Sequence, residues 1–294
     1  MAKRTIVGLG EVLWDLFDDR KLLGGAPANF AYHAAMLGDH GVLASRVGRD
    51  DLGDEVIELL NSRGLPTGHI QKDAKLPTGT VIVKVDKAGQ PTFDIVTNVA
   101  CDNLRVTKKL MALAPQADAV CYGTFCQRSP VTRATIRKFL GAAKTALIVC
   151  DVNLRGEFIE MTPGDSGLVG IVADSMTAAD VVKLNDDEVR ILRAALARPE
   201  RGDEFLRWLL REFGLKMVCV TLGAKGCVLR TPRKRVTSPG VKVKVADTVG
   251  AGDAFTAGLV NRMLRGCSLQ EVADFANRIG AYVASKSGAM PPAA

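Results

Sequence analysis

The second half of the chain repeats one pattern: a short apolar run, a few polar residues, then a segment with apolar residues at helical spacing. Apolar runs at 117–123, 146–150, 180–184 and 217–221 alternate with helix-spaced segments at 104–114, 130–143, 186–197 and 202–213. Strands apolar on both sides must be covered on both sides, which a parallel sheet between two helical layers achieves. The polar residues fall just after each run: Gly123-Thr124 with Gln127-Arg128, then Asp151-x-Asn153-x-Arg155, Asn185-x-x-Glu188, and Thr221-Leu222-Gly223-Ala224-Lys225-Gly226. Ligands of open α/β sheets sit beyond the carboxyl ends of the strands, so four strands in succession supply polar groups to one rim. The expected fold is a three-layer, doubly wound, mostly parallel α/β sheet.

The N-terminal third adds to this sheet and interrupts it. Residues 5–10 read as a first strand, 41–47 as another, and 48–53 open a helix that stops at Gly64. Residues 76–86 and 91–96 alternate around Asp86-Lys87-Ala88-Gly89-Gln90, a β-hairpin signal outside the βα rhythm. The hairpin predicts a small separate sheet beside the α/β core. Gly8-x-Gly10 lacks the third glycine of a dinucleotide fingerprint.

Bulk properties narrow the class. At 294 residues the chain is near the size, roughly 250–300 residues, where single cores stop growing. A net charge of +7 suits a nucleotide-handling enzyme as well as a nucleic-acid binder, but the longest basic run, Arg233-Lys234-Arg235, has no interleaved aromatics and reads as a solvated hairpin face. The seven cysteines form no Cys-x-x-Cys, no segment approaches 18 apolar residues, and the N-terminus does not read as a signal peptide. The expectation is a cytoplasmic protein with buried thiols and no nucleic-acid or membrane partner. His33, His40 and His69 show no metal or triad spacing.

Two glycine-rich stretches carry the chemistry. Asp247-Thr248-Val249-Gly250-Ala251-Gly252-Asp253 follows an alternating run (Val241, Val243, Val245) and leads into helix-spaced Phe255, Leu259, Val260 and Met263, a strand-to-helix turn. The first N–H groups of a helix lack internal partners and bind anions, and Gly250 and Gly252 leave them open to a phosphate. Asp253 would repel that phosphate, unless it serves as the base for a hydroxyl attacking it. An ordinary N-terminal Asp on a glycine turn is the bland alternative. Near the other end, Gly24-Gly25-Ala26-Pro27-Ala28-Asn29-Phe30-Ala31 opens a helix running through Leu37, with Asp15 upstream at a strand end.

Both strings resemble the signatures of the ribokinase-like sugar kinases, the PfkB carbohydrate kinase family, and are most like its fructokinase branch. The resemblance implies an ATP-dependent kinase phosphorylating the primary hydroxyl of a monosaccharide, with fructose the best single substrate; ribose, 2-keto-3-deoxygluconate, nucleoside and tagatose-phosphate kinases share the fold, and a sensor that has lost catalysis is the reading from a different class. It implies Asp253 as catalytic base, an anion hole at Gly250, Ala251 and Gly252, and sugar contacts from Asp15, Gly25 and Asn29, with Asn153 near the reaction. Arg155 would face the transferring phosphate, or else form a surface ion pair. Asn185 and Glu188 match the motif that supports magnesium, indirectly, and equally spell a helix capping box. Thr221, Gly223 and Gly226 suit nucleotide phosphates or a tight hairpin, and Asn277 either approaches adenine or is a polar residue on a buried helix face. Asp247, Val249 and Gly288, within the ending Ser285-Lys286-Ser287-Gly288-Ala289, resemble a potassium-binding loop pair. The resemblance also makes the small sheet a β lid, built from residues 11–23 and 76–98 on an α/β core of 1–10, 24–75 and 99–294, and a homodimer through that lid is expected.

Overall fold

The computed structural model describes residues 2–85, 91–154 and 167–292. The chain forms β1 (Thr5–Leu9), β2 (Leu13–Leu16), β3 (Lys21–Gly24), α1 (Ala26–Met36), β4 (His40–Gly48), α2 (Asp51–Ser62), β5 (Ile70–Asp73), β6 (Gly79–Val85) and β7 (Pro91–Ile95). Next come α3 (Lys108–Leu113), β8 (Ala119–Gly123), α4 (Pro130–Ala142), β9 (Leu147–Asp151), α5 (Leu168–Thr177), β10 (Val181–Asn185) and α6 (Asp186–Ala195). The last elements are α7 (Gly202–Glu212), β11 (Met217–Thr221), β12 (Gly226–Arg230), β13 (Arg235–Pro239), α8 (Ala251–Met263) and α9 (Leu269–Ala284).

One sheet has nine strands in the order β13-β12-β11-β10-β9-β8-β1-β4-β5. Its pairings are parallel from β5 to β11, and β12 and β13 add an antiparallel edge. Alternation along each strand sends successive side chains to opposite faces. On β11, Val218 and Val220 join a cluster with Phe205 and Leu209 of α7 and Ile136 of α4, while Met217 and Cys219 join Phe255 and Leu259 of α8 and Ala273 of α9. Two apolar layers therefore sandwich the sheet, and burying one side chain the size of Phe205 contributes about 1.5–3 kcal/mol. β1 lies between β4 and β8, so the winding reverses there and opens a crevice at the strand ends.

The remaining four strands form a second sheet, β3-β2-β6-β7. It packs on the core through Leu13, Val81, Val83 and Ile95 against Cys101, Phe125 and Cys126. Arg128 bolts this junction: its Nε and Nη2 grip Asp102 at 2.8 and 3.0 Å, and Nη2 also donates to the Val96 carbonyl at 3.2 Å.

Several boundaries differ from the sequence reading. The helix expected at 104–114 shortens to α3, because Thr107 accepts from Leu110 N as an N-cap and residues 100–103 turn as a 3-10 helix instead. Helix α5 and strand β5 were not anticipated; β5 is an edge strand with a single apolar residue, Ile70. The alternating 241–246 run forms no strand. Ala246 N instead donates to the carbonyl of Ala284 at the end of α9, and Val241, Val243 and Val245 stay exposed. The hairpin turn at 86–90 and Arg155 lie outside the described residues. All seven cysteines are free, six of them buried. No helix among the described residues is long and apolar enough to cross a membrane.

Candidate active site

Helix α8 starts at the crevice. Its N-cap, Gly250, has φ +77°, a left-handed conformation that favours glycine, and a Cβ there would fall 2.7 Å from Ala289 backbone atoms. Among the described residues no side chain caps the helix, and Ala251 N turns to the Thr248 carbonyl at 3.3 Å. Ala251, Gly252 and Asp253 form the first turn.

Asp253 is held from the other end of the chain. Asn29, in the first turns of α1, donates through Nδ2 to Asp253 Oδ2 at 2.7 Å across 224 residues of sequence. Asn29 is 3% exposed, and its Oδ1 is buried without a hydrogen-bond partner among the described residues, so it points to an outside donor such as a hydroxyl. Gly25, the N-cap of α1, has φ +105°, and a Cβ there would lie 2.6 Å from the Glu11 carbonyl. Half-buried Asp15 lies beside Gly24: a Cβ on Gly24 would sit 2.8 Å from Asp15 Oδ2. The two sequence signatures thus meet at one place.

A group that sequence reasoning missed lies beneath them. Lys183 and Asp151 are cross-strand partners on β10 and β9, and both face α8. The Lys183 ammonium bonds Asp151 at 3.0 Å and would lie 3.1 Å from a Cβ on Gly252; Thr256 of α8 donates to Asp151 at 3.3 Å. Burial pulls the Lys183 pKa down, but the carboxylates of Asp151, Glu188 and Asp253 more than offset it, so the net shift is upward and the cation is fixed. A lone Lys inside the apolar run Val181-Val182-Lys183-Leu184 was the available signal.

Around this centre the rim residues divide into groups. Asn185 and Glu188 form a reciprocal capping box, Asn185 Oδ1 accepting from Glu188 N at 2.8 Å and Glu188 Oε2 from Asn185 N at 2.7 Å. Glu188 Oε1 accepts from Leu154 N at 2.8 Å, so both its oxygens are engaged; burial, ahead of the opposing Lys183 charge, raises its pKa. That network pins the segment holding Asn153, whose φ of +44° is strained for a non-glycine residue. Thr221 is the register partner of Asn185. Gly223 has φ +55° with open space where a Cβ would be. Gly226 is structural, since its Cβ would fall 2.0 Å from the Ser238 carbonyl. Asn277 donates its amide to the carbonyls of Ser238 and Pro239 at 3.1 and 3.3 Å.

Asp247 joins two loops: its Oδ1 accepts from Val249 N at 3.0 Å and its Oδ2 from Gly288 N at 3.1 Å. No group of three or more His, Cys, Asp or Glu side chains able to hold a metal occurs among the described residues.

An α/β sheet with a helix N-terminus lacking a side-chain cap at its switch point, and a carboxylate clamped in that helix's first turn, suits an enzyme that moves a phosphoryl group onto a hydroxyl. The chain belongs to the pfkB family of carbohydrate kinases, whose model matches residues 9–294. Fructokinase-2 of Zea mays is 31% identical over 309 residues, covering 97% of this chain and 90% of that protein. A sugar kinase from Pyrococcus horikoshii in complex with ATP superposes with a TM-score of 0.82 at 30% identity, covering 98% of this chain and 94% of that one. Fructokinase from Vibrio cholerae, with fructose, ADP and calcium bound, gives a TM-score of 0.81 at 26% identity over 99% of this chain and 95% of that one. A variant of the Vibrio enzyme carries fructose, ADP and a potassium ion.

Proposed function

We propose that this sugar kinase is a fructokinase that transfers the γ-phosphate of ATP to a primary hydroxyl of fructose. The observation that carries the reading is the 2.7 Å bond from Asn29 to Asp253, which sets the carboxylate beside the open N–H groups of α8 and leaves the buried Asn29 Oδ1 for a sugar hydroxyl. The fructokinase names among its relatives support the choice of sugar.

Asp15, Gly25 and Asn29 orient the sugar, and the small β3-β2-β6-β7 sheet closes over it as a lid, excluding water that would compete for the phosphoryl group. Asp253 takes the proton of the attacking hydroxyl. The amides of Gly250 to Asp253 face the charge that develops on the phosphate, and Lys183 adds a fixed cation beneath them. Thr221 and Gly223 lie where nucleotide phosphates approach, and the exposed Val241, Val243 and Val245 offer an apolar edge for the base. Magnesium, when bound with ATP, neutralises phosphate charge. With both Glu188 oxygens engaged, its carboxylate fits a supporting role through water better than direct ligation, as magnesium's preference for retained waters allows. The loops joined by Asp247, with Val249 and Gly288, fit a potassium ion held by backbone carbonyls.

The test is ADP release with Mg-ATP and potassium across fructose, ribose, glucose, 2-keto-3-deoxygluconate and adenosine, run beside Asp253→Ala. Turnover on fructose should fall by about 10²–10⁴ in the variant, with sugar and nucleotide binding retained. Turnover confined to another sugar refutes the specificity, and binding lost in parallel with turnover refutes the assignment of Asp253 as the base.

A further inference from the structure

The segment after α9 folds back over the start of α8 and is tied down by α1. Ala289 is packed so tightly on Gly250 that a Cβ on Gly250 would lie 2.7 Å from the Ala289 Cα, Cβ and carbonyl oxygen alike. The same carbonyl oxygen lies 2.8 Å from His33 Nε2, and the Tyr32 hydroxyl donates to the Pro291 carbonyl at 2.9 Å. Met290 is buried between these anchors, in the cluster that contains Tyr32. His33 is one turn along α1 from Asn29, the residue that clamps Asp253. One helix therefore holds the anion hole from two sides, the carboxylate through Asn29 and the glycine turn through the Ala289 carbonyl.

We infer that His33 is a positioning residue for phosphoryl transfer: by donating from Nε2 to the Ala289 carbonyl it presses the 286–291 segment against Gly250 and fixes the left-handed turn that aims the first amides of α8. The inference rests on the kinase reading of that site. A carbonyl oxygen only accepts, so Nε2 must carry the proton. Burial, opposed by the Ala289 contact, lowers the His33 pKa to about 4, and the ring is neutral at working pH, serving as a fixed donor rather than a proton carrier. The contact itself touches no reacting atom. What relaxes is the turn, and small misplacements of reacting groups cost large factors in rate.

The experiment compares His33→Gln, whose amide nitrogen reaches the same point as Nε2, with His33→Leu, which fills the space but cannot donate. His33→Leu should lower kcat by about 10–100-fold while the KM values for sugar and ATP stay within about threefold, and His33→Gln should restore most of the loss. Hydrogen exchange supplies a readout that needs no substrate: in His33→Leu, amides of 249–255 and 286–291 should exchange faster than in the wild type, and in His33→Gln they should not. Equal kcat in the two variants, or unchanged exchange in His33→Leu, overturns the inference. A wild-type enzyme silent on every sugar would overturn the functional reading instead, while the exchange comparison still decides the role of His33.

Discussion

Replacing Lys183 with Met tests whether the charge beneath the first turn of α8 is built as described. The ion pair with Asp151 is deeply buried, with side chains 8% and 5% exposed. Without the ammonium, Asp151 keeps the Thr256 hydroxyl at 3.3 Å as its one remaining side-chain partner among the described residues. An uncompensated buried charge costs about 3–5 kcal/mol, whereas replacing both members of a buried pair by apolar residues is often close to neutral. For a chain of this size that cost corresponds to a fall in Tm of about 6–12 °C. Calorimetry and urea unfolding of Lys183→Met, Asp151→Leu and the double variant measure it, and the double variant should be more stable than either single one. Because the Lys183 pKa is raised above its usual 10.5, the pair's stabilisation is complete below that value and is lost only as pH climbs through the higher folded-state pKa. The penalty of Lys183→Met should therefore persist across neutral pH. A single variant melting within about 2 °C of the wild type, or a double variant no better than the singles, would refute the buried-pair argument.

Two further outcomes follow from the same geometry. Gly226→Ala should cost about 2–5 kcal/mol in urea unfolding, from backbone strain and collision with the Ser238 carbonyl; Gly223→Ala, in open space, should cost only about 1–2 kcal/mol but raise the KM for ATP. Between pH 6.5 and about 4 the unfolded chain binds a proton at His33 that the native fold does not, so stability should rise with pH across that window, by up to about 3 kcal/mol, and His33→Gln should flatten this part of the stability curve.

The strands and their polar ends were readable because burial on both faces imposes an unbroken apolar run, and no other element produces four of these in succession. Asn29 and Asp253 were readable as motif members, but their contact was not: it depends on α1 and α8 lying side by side on one face of the sheet. Lys183 escaped for a related reason. A lysine in an apolar strand carries no meaning until strand register sets it opposite Asp151. The 241–246 run misled because Val-Lys alternation satisfies a strand pattern whether or not a partner strand arrives, and here the end of α9 occupies that side. Asn277 could be read two ways, and its bonds to Ser238 and Pro239 spend its amide on holding β13.

The bond between Asn29 and Asp253 spans 224 residues, and this sets the order in which the molecule can acquire chemistry during synthesis. A nascent chain can fold β1 and α1 early, yet the carboxylate that Asn29 clamps emerges 224 residues later. With so much chain between its partners, this bond is among the most non-local contacts in the fold and is expected to close late.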